Sequence, residues 1–274
     1  MLLDGSAEMA DLGELIHEAH DAAGPVQVYQ QGLRRYLTFG NRVEQSCLNL
    51  ETPHSPEHVY VQAMLLATLL HGAMHRVLVL GLGGGSLVRG LRVLDHRVDI
   101  DAVEQRSAVI EVAASHFSVR PRRNLRIHCC DAGDFLAGSP DGYDLIFADL
   151  YLADRMHPVQ AEQAFIEGCR RQLGPSGLFV ANLWCSEFRG SVQQRRLLDE
   201  AFEERVLYLQ VQGGNVIAFA FSGRPLALDR KGLYEKAQEL GQMLAAPMQR
   251  HARNFWRQNA EGYMRIRRQN EGVE

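Results

Sequence analysis

Four short apolar runs of this chain each end in residues suited to holding a nucleoside or acting on what it carries. Gly81-Leu-Gly83-Gly84-Gly85-Ser86 comes directly after residues 77–80, Val-Leu-Val-Leu. Glycines let the backbone turn tightly and approach a ligand with no Cβ in the way. A helix starting near Ser86 would aim its N-terminal N–H groups at the same pocket. Glu104 follows the second run, 98–103. An acid at that strand tip can accept hydrogen bonds from both ribose hydroxyls. Asp131 follows the third run, 125–129, and Ala132 opens the next helix-like stretch. Its carboxylate could take a bond from an adenine amino group, or it could cap that helix, as Glu104 could cap its own. Asp149 follows the fourth run, 145–148. There it could act as a general base, or close a loop.

These residues need a scaffold that brings the ends of several strands together. Wholly apolar runs are typical of parallel strands buried on both faces. A fifth run covers 178–183, and helix-like stretches at 87–94, 107–116, 132–137 and 161–173 alternate with the runs. That alternation implies a doubly wound α/β sheet, with ligands at the carboxyl ends of its strands. Residues 206–211 and 215–221 are joined across Gly213-Gly214, the signal of an antiparallel hairpin at the sheet edge. The glycine turn reads GxGGG rather than GxGxxG. With the edge hairpin, it favours an S-adenosyl ligand over a dinucleotide. The expected fold is therefore α/β, with a doubly wound, mostly parallel seven-stranded sheet of the S-adenosylmethionine-dependent methyltransferase (Rossmann-like) type.

Ahead of that unit, residues 26–39 alternate around Gln31-Gly32 as a β-hairpin, and a third short strand is expected at 42–48. Residues 1–24 read as an acidic, helix-like leader. Residues 57–71 read as one helix, and 229–274 as helices ending in an arginine-rich stretch, most simply a solvated face or dimer contact. The expected divisions are a leader at 1–24, a small β-domain at 25–52, the S-adenosyl-binding domain at 53–224 and a helical extension at 225–274.

Composition narrows the function classes. Hydrophobic residues make up 46% of the 274, enough for a substantial core, and the formal net charge is -4, the wrong sign for a general nucleic-acid binder. The five cysteines show no CxxC spacing and read as reduced thiols of a cytoplasmic protein. No basic cluster precedes an apolar run near Met1, as a secretory signal would require, and the apolar runs are too short to span a bilayer. His71 with His75, and His54 with His58, have metal-pair spacing but no third ligand in a recognised pattern, so no metal is expected.

Taken together, the motifs resemble the spermidine synthase family of aminopropyltransferases, and more closely its divergent bacterial spermidine synthase-like branch. Gln45-Ser46, Tyr60 with Gln62, the turn from Gly81 to Gly85, Glu104, Asp131-Ala132, Tyr143-Asp144 and Asp149 fall in the family's order, as does Leu173-Gly-Pro-Ser-Gly177. The resemblance implies a small N-terminal β-domain and a homodimer. It implies decarboxylated S-adenosylmethionine as co-substrate, a small-molecule amine such as putrescine as acceptor, and methylthioadenosine as coproduct. Gln45, Gln62, Gly81, Gly83, Gly84, Gly85, Ser86, Glu104, Asp131 and Ala132 would bind the nucleoside. Asp149 matches the catalytic Asp, and Tyr60 and Asp154 are candidates for the amine site.

The chain also departs from the family. Where the family reads GGGDGG, the acid facing the aminopropyl amine is replaced by Ser86. The second acid of the catalytic loop falls on Leu152, with Asp154 and Glu187 as replacements, and the late Tyr-Pro falls near Val211-Gln212. A carboxylate at Ser86 would repel the carboxylate of ordinary S-adenosylmethionine by about 1 to 4 kcal/mol at ~4 Å. Its absence keeps open a methyltransferase using S-adenosylmethionine itself, and a non-catalytic nucleoside-binding homologue.

Overall fold

The computed structural model describes residues 11–138, 142–153, 155–184 and 192–268. Strands β1 (Glu14–Asp21), β2 (Gly24–Gln31), β3 (Arg34–Thr38) and β4 (Glu44–Asn49) form an antiparallel sheet in chain order. The expected hairpin and third strand are present. β1 corrects the helix-like reading of the leader. Its side chains are largely exposed, so no apolar alternation marks it; pairing with β2, from Glu14 opposite Gln30 to Asp21 opposite Gly24, makes it a strand.

Helices α1 (Val59–Met64) and α2 (Ala67–His71) replace the single helix expected over 57–71. Between them the bonding tightens, with Leu66 N donating to Ala63 O and Thr68 N to Leu65 O.

The second sheet contains β5 (Arg76–Leu80), β6 (Asp99–Glu104), β7 (Leu125–Cys129), β8 (Tyr143–Ala148), β9 (Leu173–Trp184), β10 (Val206–Gln210) and β11 (Asn215–Phe221). Their order is β10-β11-β9-β8-β5-β6-β7, with only β11 antiparallel to its neighbours. This is the doubly wound seven-stranded sheet with its edge hairpin. Alternate residues enter opposite cores: Val77, Val79, Ile100 and Phe147 on one face, Leu78, Leu80, Val103 and Ile146 on the other.

Helices α3 (Ser86–Leu94), α4 (Ser107–His116), α5 (Ala132–Leu136), α6 (Gln163–Gln172), α7 (Val192–Ala201), α8 (Arg230–Leu244) and α9 (Met248–Arg268) complete the elements. In α9, Phe255, Tyr263 and Ile266 enter the core, while Arg250, Arg253, Arg257, Arg265 and Arg268 are exposed. Among the described residues no helix is long and apolar enough to cross a membrane.

Two internal constraints position the strand ends. The first is Gly81, at φ +93°. A Cβ there would lie 2.2 Å from the carbonyl oxygen of Asp149. The ladder carries on past the strands, with Asp149 N donating to Leu80 O at 2.9 Å and Gly81 N to Val103 O at 2.9 Å. The second is a buried carboxylate, Asp101 on β6. It accepts from Arg126 at 2.7 and 2.6 Å and from Tyr143 at 3.0 Å, and lies 2.6 Å from His128 Nε2. It thereby ties β6 to β7 and β8. Burial alone would raise its pKa, but these partners outweigh burial and hold it at about 2, below the ordinary 3.8.

Because the Asp101 pKa is depressed on folding, its stabilisation is full above pH 3.8 and is lost as pH falls toward about 2. Asp101→Asn should therefore lower urea-unfolding stability by about 2 kcal/mol at neutral pH. The gap between variant and wild type should narrow below pH 4, and a gap independent of pH would contradict this account. Gly81→Ala should cost about 3 kcal/mol or more, from clash and left-handed strain together. Gly32→Ala, at φ +58° with open space around it, should cost only about 1 kcal/mol in the same measurement.

Candidate functional site

The carboxyl ends of β5, β6 and β8 open into a cavity of about 310 Å³, within the size range of small-ligand sites. It lies beside the point where the strand order reverses, between β5 and β8. Gln45, Tyr60, Gly81, Gly83, Ser86, Glu104, Asp131, Ala132 and Asp149 all line it.

Glu104 closes β6 against the glycine turn. Its carboxylate accepts from Leu82 N at 3.2 Å and Arg106 N at 3.0 Å, and from the Gly83 N–H. Burial raises its pKa, and those N–H groups partly offset the effect. Asp131 is the N-cap of α5: its Oδ1 accepts from Gly133 N at 2.7 Å and Asp134 N at 3.2 Å. The capping role that the sequence left open is thus observed, and the same residue lines the cavity.

Asp149 projects from the end of β8. Burial pushes its carboxyl above the usual carboxylate range, opposed by a hydrogen bond from Asn182 Nδ2 at 2.8 Å, by nearby His58 and by a hydrogen bond from Tyr60. Burial followed by the nearby Asp149 charge raises the Tyr60 phenol well above its ordinary value, which keeps it a donor. Asn182 is fixed in turn by Asn215 Nδ2 at 2.9 Å.

Other expected residues lie elsewhere. The Gln62 side chain is buried away from the cavity, donating to Pro56 O at 2.7 Å and meeting His251 Nε2 at 2.9 Å. Gly84 and Gly85 pack behind the turn. A Cβ on Gly84 would meet Ser46 Cβ at 2.7 Å, and one on Gly85 would meet Val119 at 2.4 Å. Asp154 and Glu187 lie outside the described residues.

Residues not expected from the sequence complete the walls. Asn182 and Asn215 are polar residues in otherwise apolar strands, a signal that was present but gave no partner. Glu44 of β4 lines the cavity 2.6 Å from His58, the residue before α1, and His58 stacks on Tyr60. Arg106 also lines the cavity and binds Asp21 of β1 through two bonds of 3.0 and 2.8 Å, so the small sheet forms one side of the site. Ser46 Oγ adds a second tie, accepting from Gly84 N at 2.9 Å.

Ser86 Oγ accepts from Arg89 at 3.2 Å. The Arg89 guanidinium also donates to the carbonyls of Pro53, Gly84 and Phe117, and burial lowers its pKa to about 10. It remains cationic at neutral pH.

Comparison with known proteins adds sequence evidence to this geometry. The polyamine aminopropyltransferase of Chromobacterium violaceum is 30% identical over 228 residues, covering 82% of this chain and 87% of that protein. A probable spermidine synthase from Corynebacterium glutamicum superposes with a TM-score of 0.71 at 18% identity, over 85% of this chain and 88% of that one. Human methyltransferase-like protein 13, solved in complex with SAH, superposes with a TM-score of 0.55 at 29% identity, over 69% of this chain and 90% of that one. The family model for the spermine/spermidine synthase domain matches residues 57–195, which contain the glycine turn, Glu104, Asp131 and Asp149. On these grounds the chain belongs to the spermine/spermidine synthase family, a family of transferases.

Proposed function

We propose that this protein is an aminopropyltransferase that moves the aminopropyl group of decarboxylated S-adenosylmethionine to a small amine, putrescine or another polyamine. The observation that carries the reading is Asp149. It is held by Asn182 and Tyr60 in the cavity that also presents Glu104 and Asp131. Glu104 would hold the ribose hydroxyls and Asp131 with Ala132 the adenine edge. Gly81, Gly83 and Ser86 would line the sulfonium-bearing arm, and Gln45 and Tyr60 would border the acceptor.

Free amines have pKa values near ~10 and are mostly protonated at neutral pH. Asp149, with its raised proton affinity, would take a proton from the acceptor nitrogen. That nitrogen's lone pair would form the new N–C bond as the C–S bond breaks. The bonding pair goes to sulfur, cancels the sulfonium charge, and methylthioadenosine leaves. Within this reading we place the enzyme in the cytoplasm, where the free Cys47, Cys129, Cys130 and Cys169 stay reduced. We take it to be a homodimer, for which exposed Leu15, Ile16 and Leu33 of the small sheet offer apolar surface.

One observation favours a second reading, methyl transfer from S-adenosylmethionine itself. Ser86 accepts its bond from a buried cation, so its hydroxyl hydrogen is free to point at a carboxylate, and the nearby charge is positive where the family's is negative. The 29% identity to a methyltransferase-like protein solved with SAH agrees with it.

Calorimetric titration with the two co-substrates separates the readings. Aminopropyl transfer predicts at least tenfold tighter binding of the decarboxylated form, about 1.4 kcal/mol, with methylthioadenosine accumulating alongside a polyamine. Equal or tighter binding of S-adenosylmethionine, with S-adenosylhomocysteine as coproduct, would replace it by methyl transfer. Binding of neither would overturn both. For either enzyme, Asp149→Asn should lower turnover by about 10²-fold or more while co-substrate affinity changes less than tenfold. Unchanged turnover in that variant would remove Asp149 from the chemistry.

A further inference from the structure

Behind the glycine turn lies a second cavity, of about 210 Å³, sharing no lining residue with the first. It sits between α3 and the segment from Ser118 to Leu125. Its walls carry Arg89, Arg92, Arg120 and Arg122 beside apolar Val88 and Leu125, and no acid lines it.

Three of the arginines are bonded, and only to neutral groups. Arg89 donates to backbone carbonyls and to Ser86 Oγ. Arg92 donates to Asn124 Oδ1 at 3.0 Å, and Arg120 to Ala114 O at 2.9 Å. Among the described residues none of the four meets a carboxylate. Several arginines elsewhere are instead paired with acids: Arg106 with Asp21, Arg126 with Asp101, Arg97 with Asp95 and Arg205 with Glu203. Burial, and then neighbouring Arg122, push the Arg92 guanidinium below its ordinary pKa. Like charges are therefore held together in a recess of a protein whose net charge is -4. Such an arrangement gains most from an oxyanion that several planar guanidiniums can grip at once.

We propose that this recess binds a small phosphorylated molecule. Its phosphoryl or pyrophosphoryl oxygens would lie against Arg92, Arg120 and Arg122, with any uncharged body against Val88 and Leu125. The cluster calls for more than one negative charge, and a volume of about 210 Å³ suits a small molecule better than a polymer. Guanidinium forks match phosphate oxygens in geometry as well as in charge.

The test is calorimetric titration of the full chain with inorganic pyrophosphate at fixed ionic strength. It is repeated on an Arg92→Gln, Arg122→Gln double variant whose fold is checked by circular dichroism. Both side chains reach the surface, and neither takes part in the nucleoside cavity. The proposal predicts saturable binding to the wild type, weakened at least tenfold in the variant, with citrate weaker than pyrophosphate. Absence of saturable binding, or equal affinity in the two proteins, would overturn the site. Tighter binding of citrate would overturn its assignment to phosphate.

Discussion

The backbone of Asp149 passes so close to Gly81 that a single added Cβ would sit 2.2 Å from the Asp149 carbonyl oxygen. This contact joins the end of β8 to the start of the glycine turn, and much of the site's arrangement follows from it. With Gly81 at φ +93°, the chain leaves β5 without a side chain to accommodate. The turn then presents the Leu82 and Gly83 N–H groups to Glu104 at the end of the neighbouring strand. Three strand ends converge because the backbone of one passes within contact distance of the next. The candidate acid, the ribose-side acid and the turn are therefore placed by backbone geometry, before any ligand contributes.

The small N-terminal sheet then acts as a wall. Val26, Val28, Leu37 and Leu48 pack on Val109, Val112 and Phe117 of α4 and the loop after it. The polar ties run closer to the cavity, through Arg106 to Asp21 and through Ser46 to the Gly84 N–H. Apolar packing supplies the attachment, and the paired bonds fix its orientation. Covering the strand ends also removes water from the carboxylates, which is why burial raises the pKa of both Glu104 and Asp149. A carboxyl with raised proton affinity is better matched to accepting a proton than one in water.

Ser86 is coupled to a second side chain. Arg89, one helical turn further on, is drawn into the space behind the turn and held there by carbonyl oxygens and the Ser86 hydroxyl. The same guanidinium is shared with the arginine-lined recess on the far side of the turn. One buried cation thus lines the recess and bonds to Ser86, which lines the first cavity.

Much of the architecture was legible in the sequence because apolar runs and punctuating glycines are local signals. The residues of β7 and β11, the helix from Ser107 to His116 and the edge hairpin at Gly213-Gly214 could be read directly. So could Gly81, Glu104, Asp131 and Asp149, each of which lies within two residues of the end of such a run. The strand character of Glu14–Asp21 was not legible, because an exposed edge strand carries no alternation and is defined by its partner. Nor was the direction of Gln62, which turns to His251 across 189 positions of sequence. The Asn182–Asp149 bond, the His58–Glu44 pair and the acid-free company of Arg89 likewise join segments distant along the chain. Sequence alone determined which residues end the strands, since hydrophobic periodicity is set by neighbours along the chain. Only tertiary structure decided which of those residues face one another, since cavity walls and counter-charges are set by neighbours in space.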